Sequence, residues 1–586
     1  MTDINRNSQP VIESLVPFSR GSTEIFKTGL WSPQKPFYVE KISPCRQACP
    51  IGIDIARAFY YAAKGELDEA LSIYRQDNPL PGICGRVCYH PCELDCNRKD
   101  FDQAVNIRGF ERFLSDHGRV DLKREAPVRL KKEKIAIIGS GPAGLSAAFH
   151  SARLGYSVTI FEALPEPGGM LRYGIPEYRL PKAILHQEIR YIQQLGVEIK
   201  TGIQAGGDIS LARIRKDFQA VFIAAGAHGG MRLGIEGEEL PGVMEGIGFL
   251  RSINLGEKVK IGRRVAVIGG GNTAVDCART AGRIGGKNIS IIYRRSLAEM
   301  PALAEDRASV KKEGIRIEIL SAPKRMISEN GRLSGIECIR MELGAPDAGG
   351  RPQPFPIKGS EFLVPVDTVI TAVGQVPETA FVKELGLSVN KRGWIEISAE
   401  TAATNSSGVF AGGDSAGTKA FVADAIASGK KGALAIFCYL EGKDIRKEFE
   451  NHRIGDRSSF SFQHFLDPER YSPDLKKCVP YDKINTICFP YLSRQNNPDQ
   501  LEPEESIKTF GEVTTGLAWT EMEAEITRCF KCGVCTQCDL CFFICPDISI
   551  MKAGKDGYNL KVDYCKGCGM CASTCPRQVI EMGGGR

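Results

Sequence analysis

The chain has 586 residues, of which 42% are hydrophobic and 25% charged, an ordinary globular composition long enough for several cores. A net charge of +6 is mild for this length and the basic residues are dispersed, so neither nucleic acid nor an anionic membrane is implied as a partner. No apolar run reaches the roughly eighteen residues of a membrane span and no apolar leader with a cleavage site opens the chain, so the expectation is a cytoplasmic protein in a reducing compartment.

The 21 cysteines are unevenly placed: six lie between Cys45 and Cys96, ten between Cys529 and Cys575. The remaining five, Cys277, Cys338, Cys438, Cys478 and Cys488, lack ligand spacing and read as packed thiols. Metal chemistry is therefore expected at the two ends of the sequence.

The middle opens with KIAIIGSGPAG, residues 134–144: a β-branched run, then Gly139-x-Gly141-x-x-Gly144 with Pro142 and Ala143 inside it, then a helix of small residues. This is the strand, turn and helix of the dinucleotide fingerprint, whose glycines let backbone approach a pyrophosphate at a helix N-terminus. The next strand, SVTIFE, ends at Glu162, placed to accept the ribose hydroxyls. FQAVFIAAGA, Phe218 to Ala227, is an apolar strand passing Gly226 and suited to the same sheet.

The pattern recurs in RRVAVIGGGNTAVDCART, with Gly269, Gly271, Asn272, Thr273 and Ala274 after a strand from Val265 to Ile268. Here the following strand ends at Arg294 and Arg295, where a carboxylate would repel a 2'-phosphate and two guanidiniums would pair with it, so NADP is read in preference to NAD. The alternative is a solvated strand end. VDTVITAVGQ, Val366 to Gln375, with Gly374 near its end, is expected to return to the first nucleotide domain. GVFAGGD then places Gly413 and Asp414 before a helix, where Asp414 is either a helix N-cap or a partner for a flavin ribityl hydroxyl.

Residues 446–524 are polar and rich in proline and read as a long connection. Beyond it stand two C-x2-C-x2-C-x3-C-P runs, the spacing of a bacterial two-cluster ferredoxin, in which the fourth Cys of each run ligates the other cluster. Cys535, Cys538, Cys541 and Cys575 are assigned to one [4Fe-4S] cluster, and Cys565, Cys568, Cys571 and Cys545 to the second. Zinc usually takes separated CxxC pairs and gives no reason for two runs closed by Cys-Pro.

The segment EPGGMLRYGIPEYRLPK, Glu166 to Lys182, together with GGGNTAVDCART, YRRS and VFAGGD, resembles the small subunit of bacterial glutamate synthase and its relatives. Among these are the flavin half of dihydropyrimidine dehydrogenase and the larger subunit of NADH-dependent reduced ferredoxin:NADP oxidoreductase. The resemblance covers roughly residues 40–445. It implies FAD across the first fingerprint, with Gly169, Met170, Leu171, Ile175 and Pro176 near the isoalloxazine, and an NADP domain inserted between two halves of the FAD domain. Hydride then passes between cofactors with no catalytic side chain.

The resemblance also implies a helical domain with two [4Fe-4S] clusters ahead of the flavin domain. The CxxC pair that opens this domain in the relatives is absent upstream of Cys45, and EAEITRCFKCG supplies one near the other end. The expectation is a permuted set of Cys45, Cys96, Cys529 and Cys532, and a second set of Cys49, Cys88, Cys92 and, by resemblance, Glu111. Cys84 matches a non-ligand position. The alternative is one lost cluster and a vestigial Cys529/Cys532 pair.

The fold expected is multidomain α/β: a helical iron-sulfur domain (1–130), an FAD domain in two parts (131–255 and 363–445), an NAD(P) domain (256–362), a linker (446–524) and an α+β ferredoxin-like domain (525–586). The function expected is exchange of electrons between NAD(P)H and a partner redox protein through FAD and four [4Fe-4S] clusters, the flavin converting hydride to single electrons. Partners expected are ferredoxin or a low-potential 2-oxoacid, aldehyde, formate or aromatic-reducing enzyme of an anaerobe, within a hetero-oligomer. The alternatives are a glutamate synthase small subunit, disfavoured by the ferredoxin tail, and a non-catalytic conduit, disfavoured by the intact second fingerprint.

Overall fold

The computed structural model describes Ile25 and residues 27–120, 130–347, 350–378, 380–383, 386–469, 473–496, 501–554 and 557–584. They fall into two compact units, one of residues 41–482 and 489–534, the other of the described part of 1–40 with 483–488 and 535–586. Residues 1–24, assigned above to the helical domain, lie outside the described residues. Among the described residues no helix is long and apolar enough to cross a membrane.

The larger unit contains two parallel five-stranded sheets. In the first the order is Val409–Ala411, Ala220–Ile223, Lys134–Ile138, Ser157–Phe161, Glu198–Lys200. Its central strands are β-branched and buried because helices cover both faces, as parallel sheets require. Helix Pro142–Arg153 packs against helix Val422–Glu441 so closely that a Cβ on Gly429 would stand 2.0 Å from the Ala143 carbonyl oxygen.

The second sheet runs Arg316–Glu318, Asn288–Ile292, Arg264–Ile268, Thr368–Thr371, Val243–Glu245, again all parallel. This corrects the expectation for VDTVITAVGQ: Thr368–Thr371 pairs with Arg264–Ile268 instead of returning to the first sheet. An apolar strand ending in glycine fits either nucleotide sheet, and the sequence does not distinguish them. The boundaries at 255/256 and 362/363 move with it, since Val243–Glu245 and Thr368–Thr371 both belong to the second sheet. An antiparallel sheet of Ser321–Glu329, Arg332–Pro346, Pro352–Pro356 and Phe362–Pro365 is inserted before the last of these strands.

Ahead of the sheets stand the helices Ile55–Ala62, Leu67–Asp77, Pro81–Val87 and Ile107–His117. Phe59 stacks on Phe110 with ring centroids 3.7 Å apart, and Gly85 lets the third helix touch the fourth, since a Cβ there would lie 2.4 Å from Arg112 N.

Residues 446–524 are not a plain linker: they take in most of helix Ile445–His452 and helix Phe462–Leu466, and Leu517 and Met522 join the helical core. Helix Trp519–Arg528 is held to residues 98–106 by a buried network. Arg528 donates to both Glu525 carboxylate oxygens (2.9 and 3.0 Å) and to Asp102 Oδ1 (3.0 Å). Arg98 donates to the Arg528 carbonyl at 2.6 Å and to Asp102, and Glu525 accepts from Asn106 N at 2.7 Å.

The smaller unit pairs Gln34–Tyr38 antiparallel with Ile580–Gly584, and Ile550–Lys552 with Tyr558–Leu560, around helices Leu540–Ile544 and Met570–Thr574. The ferredoxin-like unit is therefore discontinuous, not the single stretch 525–586, and its first strand precedes the entire flavoprotein body. A Pro-containing five-residue strand carries no local signal of so distant a partner.

Lys430, in helix Val422–Glu441, ties the first sheet's cover to the helical part. Its ammonium is fully buried and donates to Asp77 Oδ1 at 3.0 Å and to the Phe460 carbonyl at 2.6 Å. Asp77→Ala leaves that charge without its carboxylate and is expected to cost ~3–5 kcal/mol, read as a lowered unfolding midpoint; Lys430→Met, which removes the charge itself, should cost less.

Lys182 closes the Glu166 to Lys182 loop by donating to the Leu171 and Ile175 carbonyls at 3.2 and 2.6 Å. Burial pushes its pKa down to about 8 from 10.5. Above pH 8 the unfolded lysine holds its proton while the folded one releases it, so stability rises with pH up to about 10.5. Unfolding followed from pH 7 to 10.5 should show the native protein gaining on Lys182→Met across this window, and a constant difference would contradict it.

Candidate functional site

The two fingerprints open on one cavity of about 1050 Å³. Helices Pro142–Arg153 and Asn272–Arg283 both begin at its wall, capped by Gly141 and Gly271. A Cβ on either capping glycine would meet no protein atom within 4 Å, whereas one on Gly139 or Gly269 would strike a neighbouring carbonyl oxygen at 2.4 or 2.2 Å. The middle glycine of each fingerprint thus leaves open space at a positive helix end, which suits a pyrophosphate.

Of the nucleotide residues read from the sequence, Gly139, Gly141, Pro142, Ala143, Glu162, Gly169, Met170, Leu171, Ile175, Gly226, Gly269, Gly271, Asn272, Thr273, Arg294, Arg295, Gly374, Gly413 and Asp414 line this cavity. Gly144, Ala274 and Pro176 do not. Gly144 is the packing glycine, where a Cβ would stand 1.9 Å from the Gly139 carbonyl oxygen. Ala274 is fully buried at the corresponding point, and the Pro176 carbonyl accepts from Arg179 N and Leu180 N to close the loop's turn.

Asp414 caps no helix. Helix Val422–Glu441 is capped by Phe421, and Asp414 Oδ1 is buried without a hydrogen-bond partner, as is Thr418 Oγ1 nearby on the same wall. Burial, then the charge of Asp424, pushes the Asp414 carboxyl up to about 6. An acceptor left unsatisfied at a cavity wall fits a ligand hydroxyl. Glu162 is more committed: it accepts from Ser140 N, Ser140 Oγ and Leu164 N, the first at 2.9 Å, which holds the fingerprint loop and leaves limited capacity for a ribose hydroxyl.

At the second fingerprint Arg294 is exposed beside the cavity. Arg295 is buried and turned aside, donating to the Pro352 carbonyl at 2.8 Å with Asp347 3.6 Å away. The antiparallel insertion also brings Arg351 to the cavity, where it donates to the Tyr293 hydroxyl and the Glu299 carbonyl, both at 2.9 Å. A lone arginine in a hairpin gave the sequence no signal. His228 and Arg251, 3.2 Å apart and also lining the cavity, were missed for the same reason.

The thiols of the larger unit gather in two groups. Burial, then Cys96, with Cys529 and Cys532, pushes the Cys45 thiol up, and Cys532 in turn feels Cys529 and Cys96. The buried network at Arg528 delivers the C-terminal pair, and Asn97 donates to Cys532 Sγ at 3.4 Å. In the other group Cys88 and Cys92 both feel Cys49, and Cys88 and Cys49 feel Glu111. Burial pushes the Glu111 carboxyl up to about 8, and its only described donor is Asn78 at 2.7 Å. Cys84 is fully buried one turn before Cys88.

In the smaller unit Cys535 feels Cys541 and Cys575, and Cys571 feels Cys565, Cys545 and Cys568. This is the cross-run grouping of the ferredoxin pattern. Cys538 and Cys568 are exposed. Of the five thiols read as packed, Cys277, Cys338 and Cys438 are buried, but Cys478 is half-buried and Cys488 exposed, near Cys538 and Cys575. Among the described residues no three Cys, His, Asp or Glu are grouped to hold a single metal ion. A four-iron cubane binds each thiolate to a different iron and accepts a wider set.

The family model for pyridine nucleotide-disulphide oxidoreductases matches residues 133–429, and that for dihydropyrimidine dehydrogenase domain II, 4Fe-4S cluster, matches residues 40–122. The NADP(+)-dependent formate dehydrogenase subunit beta of Moorella thermoacetica is 38% identical over 85% of this chain and 71% of its own length. The NADPH-Fe(3+) oxidoreductase subunit beta of Geobacter sulfurreducens is 36% identical over 89% of this chain and 80% of its own. The glutamate synthase [NADPH] small chain of Escherichia coli is 33% identical over 73% of this chain and 94% of its own. With two nucleotide fingerprints on one cavity and grouped thiols, the chain belongs to the pyridine nucleotide-disulphide oxidoreductase family and is an FAD- and NAD(P)H-dependent iron-sulfur oxidoreductase.

Proposed function

We propose that the chain is the nucleotide-oxidising or nucleotide-reducing subunit of a hetero-oligomer, exchanging electrons between NADPH and a low-potential redox partner through FAD and four [4Fe-4S] clusters. FAD, when bound, supplies the conversion between hydride and single electrons. The protein's part is placement. Gly141 and Gly271 leave room for the pyrophosphates, Asp414 would accept from a ribityl hydroxyl, and Gly169, Met170, Leu171 and Ile175 of the Glu166 to Lys182 loop would hold the flavin's wall of the cavity.

The ligand sets are Cys49, Cys88, Cys92 and Glu111; Cys45, Cys96, Cys529 and Cys532; Cys535, Cys538, Cys541 and Cys575; and Cys565, Cys568, Cys571 and Cys545. Their order is supported by one observation above all. Val87, the chain neighbour of Cys88, lines the nucleotide cavity, so the first set is the one beside the flavin. Cys45 acts on Cys92 and links that set to the second. Only two residues, Gly533 and Val534, separate Cys532 of the second set from Cys535 of the third in sequence.

The beta subunits of formate dehydrogenase and Fe(3+) oxidoreductase align over most of this chain, while the glutamate synthase small chain aligns over 73% of it. This supports a dehydrogenase-type or reductase-type partner over a glutamate synthase.

Fully loaded native protein should hold about sixteen iron atoms, and Cys529→Ser with Cys532→Ser should hold about twelve. An unchanged count in the double variant, or a native count nearer twelve, would sink the shared site. Anaerobic mixing should bleach the flavin faster with NADPH than with NADH. Arg294→Ala and Arg351→Ala should each raise the NADPH KM roughly ten- to hundredfold while leaving NADH unchanged; equal losses with both nucleotides would contradict the 2'-phosphate role.

A further inference from the structure

Residues 34–40 bring two groups of opposite electrical character to one thiol set of the smaller unit. Tyr38 ends the strand Gln34–Tyr38, its backbone in register with Ile580. Its ring stacks on Tyr558 with centroids 5.8 Å apart, and Tyr558 is itself fixed by Asp539, whose amide donates to the Tyr558 hydroxyl at 2.8 Å and whose carboxylate accepts from it at 2.9 Å. So held, the Tyr38 hydroxyl donates to Cys541 Sγ at 3.4 Å. Two residues on, after Val39 N has bonded the Val579 carbonyl at 3.0 Å, Glu40 accepts from the backbone N–H of Cys535 at 3.0 Å.

The other set has a different, local support: Cys545 Sγ accepts from Ser549 N at 3.3 Å and stands 3.1 Å from Ser549 Oγ, a residue just past its own run. The donor and the carboxylate that reach the first set come instead from a segment nearly five hundred residues away in sequence.

We propose that Tyr38 and Glu40 set the reduction potential of the cluster held by Cys535, Cys538, Cys541 and Cys575, in opposite directions. The proposal rests on the ligand assignment above. A hydrogen bond to a ligand sulfur disperses its negative charge and favours the reduced cluster, raising the potential. A carboxylate on a ligand's amide opposes the added electron and engages a backbone donor that would otherwise be free to face the cluster sulfurs, lowering it. Tyr38 and Glu40 are positioning residues: neither touches iron, and each acts through a ligand cysteine.

The test is an anaerobic redox titration of the full-length, iron-loaded protein followed by electron paramagnetic resonance. The signal lost in Cys541→Ser identifies the cluster. In Tyr38→Phe, at native iron content, that signal's midpoint should move to lower potential, with a several-fold smaller reduced fraction at the native midpoint. In Glu40→Gln it should move to higher potential, and the remaining signals should shift by much less. If Tyr38→Phe loses iron, the direction of the Glu40→Gln shift decides. Unchanged midpoints, shifts of the same sign, or equal shifts in every cluster would overturn the proposal while the Cys541→Ser loss still stood. A Cys541→Ser spectrum identical to the native one would overturn the ligand assignment as well.

Discussion

The buried network around Arg528 is the constraint that brings Cys529 and Cys532 to Cys96 and Cys45, far away in sequence. Arg528 and Glu525 are both fully out of water, and the arginine's fork is divided between Glu525, Asp102 and backbone carbonyls. Buried charges are tolerated only when paired and hydrogen-bonded on every side, so this arrangement admits one register of helix Trp519–Arg528 against residues 98–106. A turn's slip would strand at least two charges. The register matters because Cys529 follows Arg528 directly, and the same network fixes Arg98, two residues after Cys96. An electrostatic device specifies a geometry here; its contribution to stability is secondary.

The nucleotide half of the molecule was legible because its chemistry is local. A tight turn, a close backbone approach and a helix start occupy six residues, and the fingerprints at Gly139 and Gly269 carry them whole. The ferredoxin runs were legible for the same reason. What failed was long-range. Thr368–Thr371 has the composition of a buried parallel strand and could serve either sheet; only pairing with Arg264–Ile268 decides, and that is a tertiary fact. Arg295 looked equivalent to Arg294, but in the bend after strand Asn288–Ile292 Arg294 is exposed whereas Arg295 is buried against the antiparallel insertion. Arg351 reaches the same cavity from a hairpin more than fifty residues on.

The cavity joins the two halves of the problem. Both helix N-termini face it, and Val87 brings the chain of Cys88 to its wall. The Glu166 to Lys182 loop is closed by the half-buried ammonium of Lys182 and by Pro176. A site where chemistry belongs to bound cofactors needs little more than this from its protein: fixed donors and acceptors, and short distances between redox centres.

The pairing of Gln34–Tyr38 with Ile580–Gly584 has a consequence for how the protein is made. The strand leaves the ribosome well over five hundred residues before its partner, with the whole of the larger unit's sequence between them. At about 5–20 residues per second, the interval between them is roughly half a minute to two minutes. Throughout it, Phe37 and the neighbouring backbone groups form an open edge with nothing to bond. Closing of that edge must wait until Ile580–Gly584 has followed the larger unit out of the ribosome, so the smaller unit completes its fold only after the larger unit's sequence has been made.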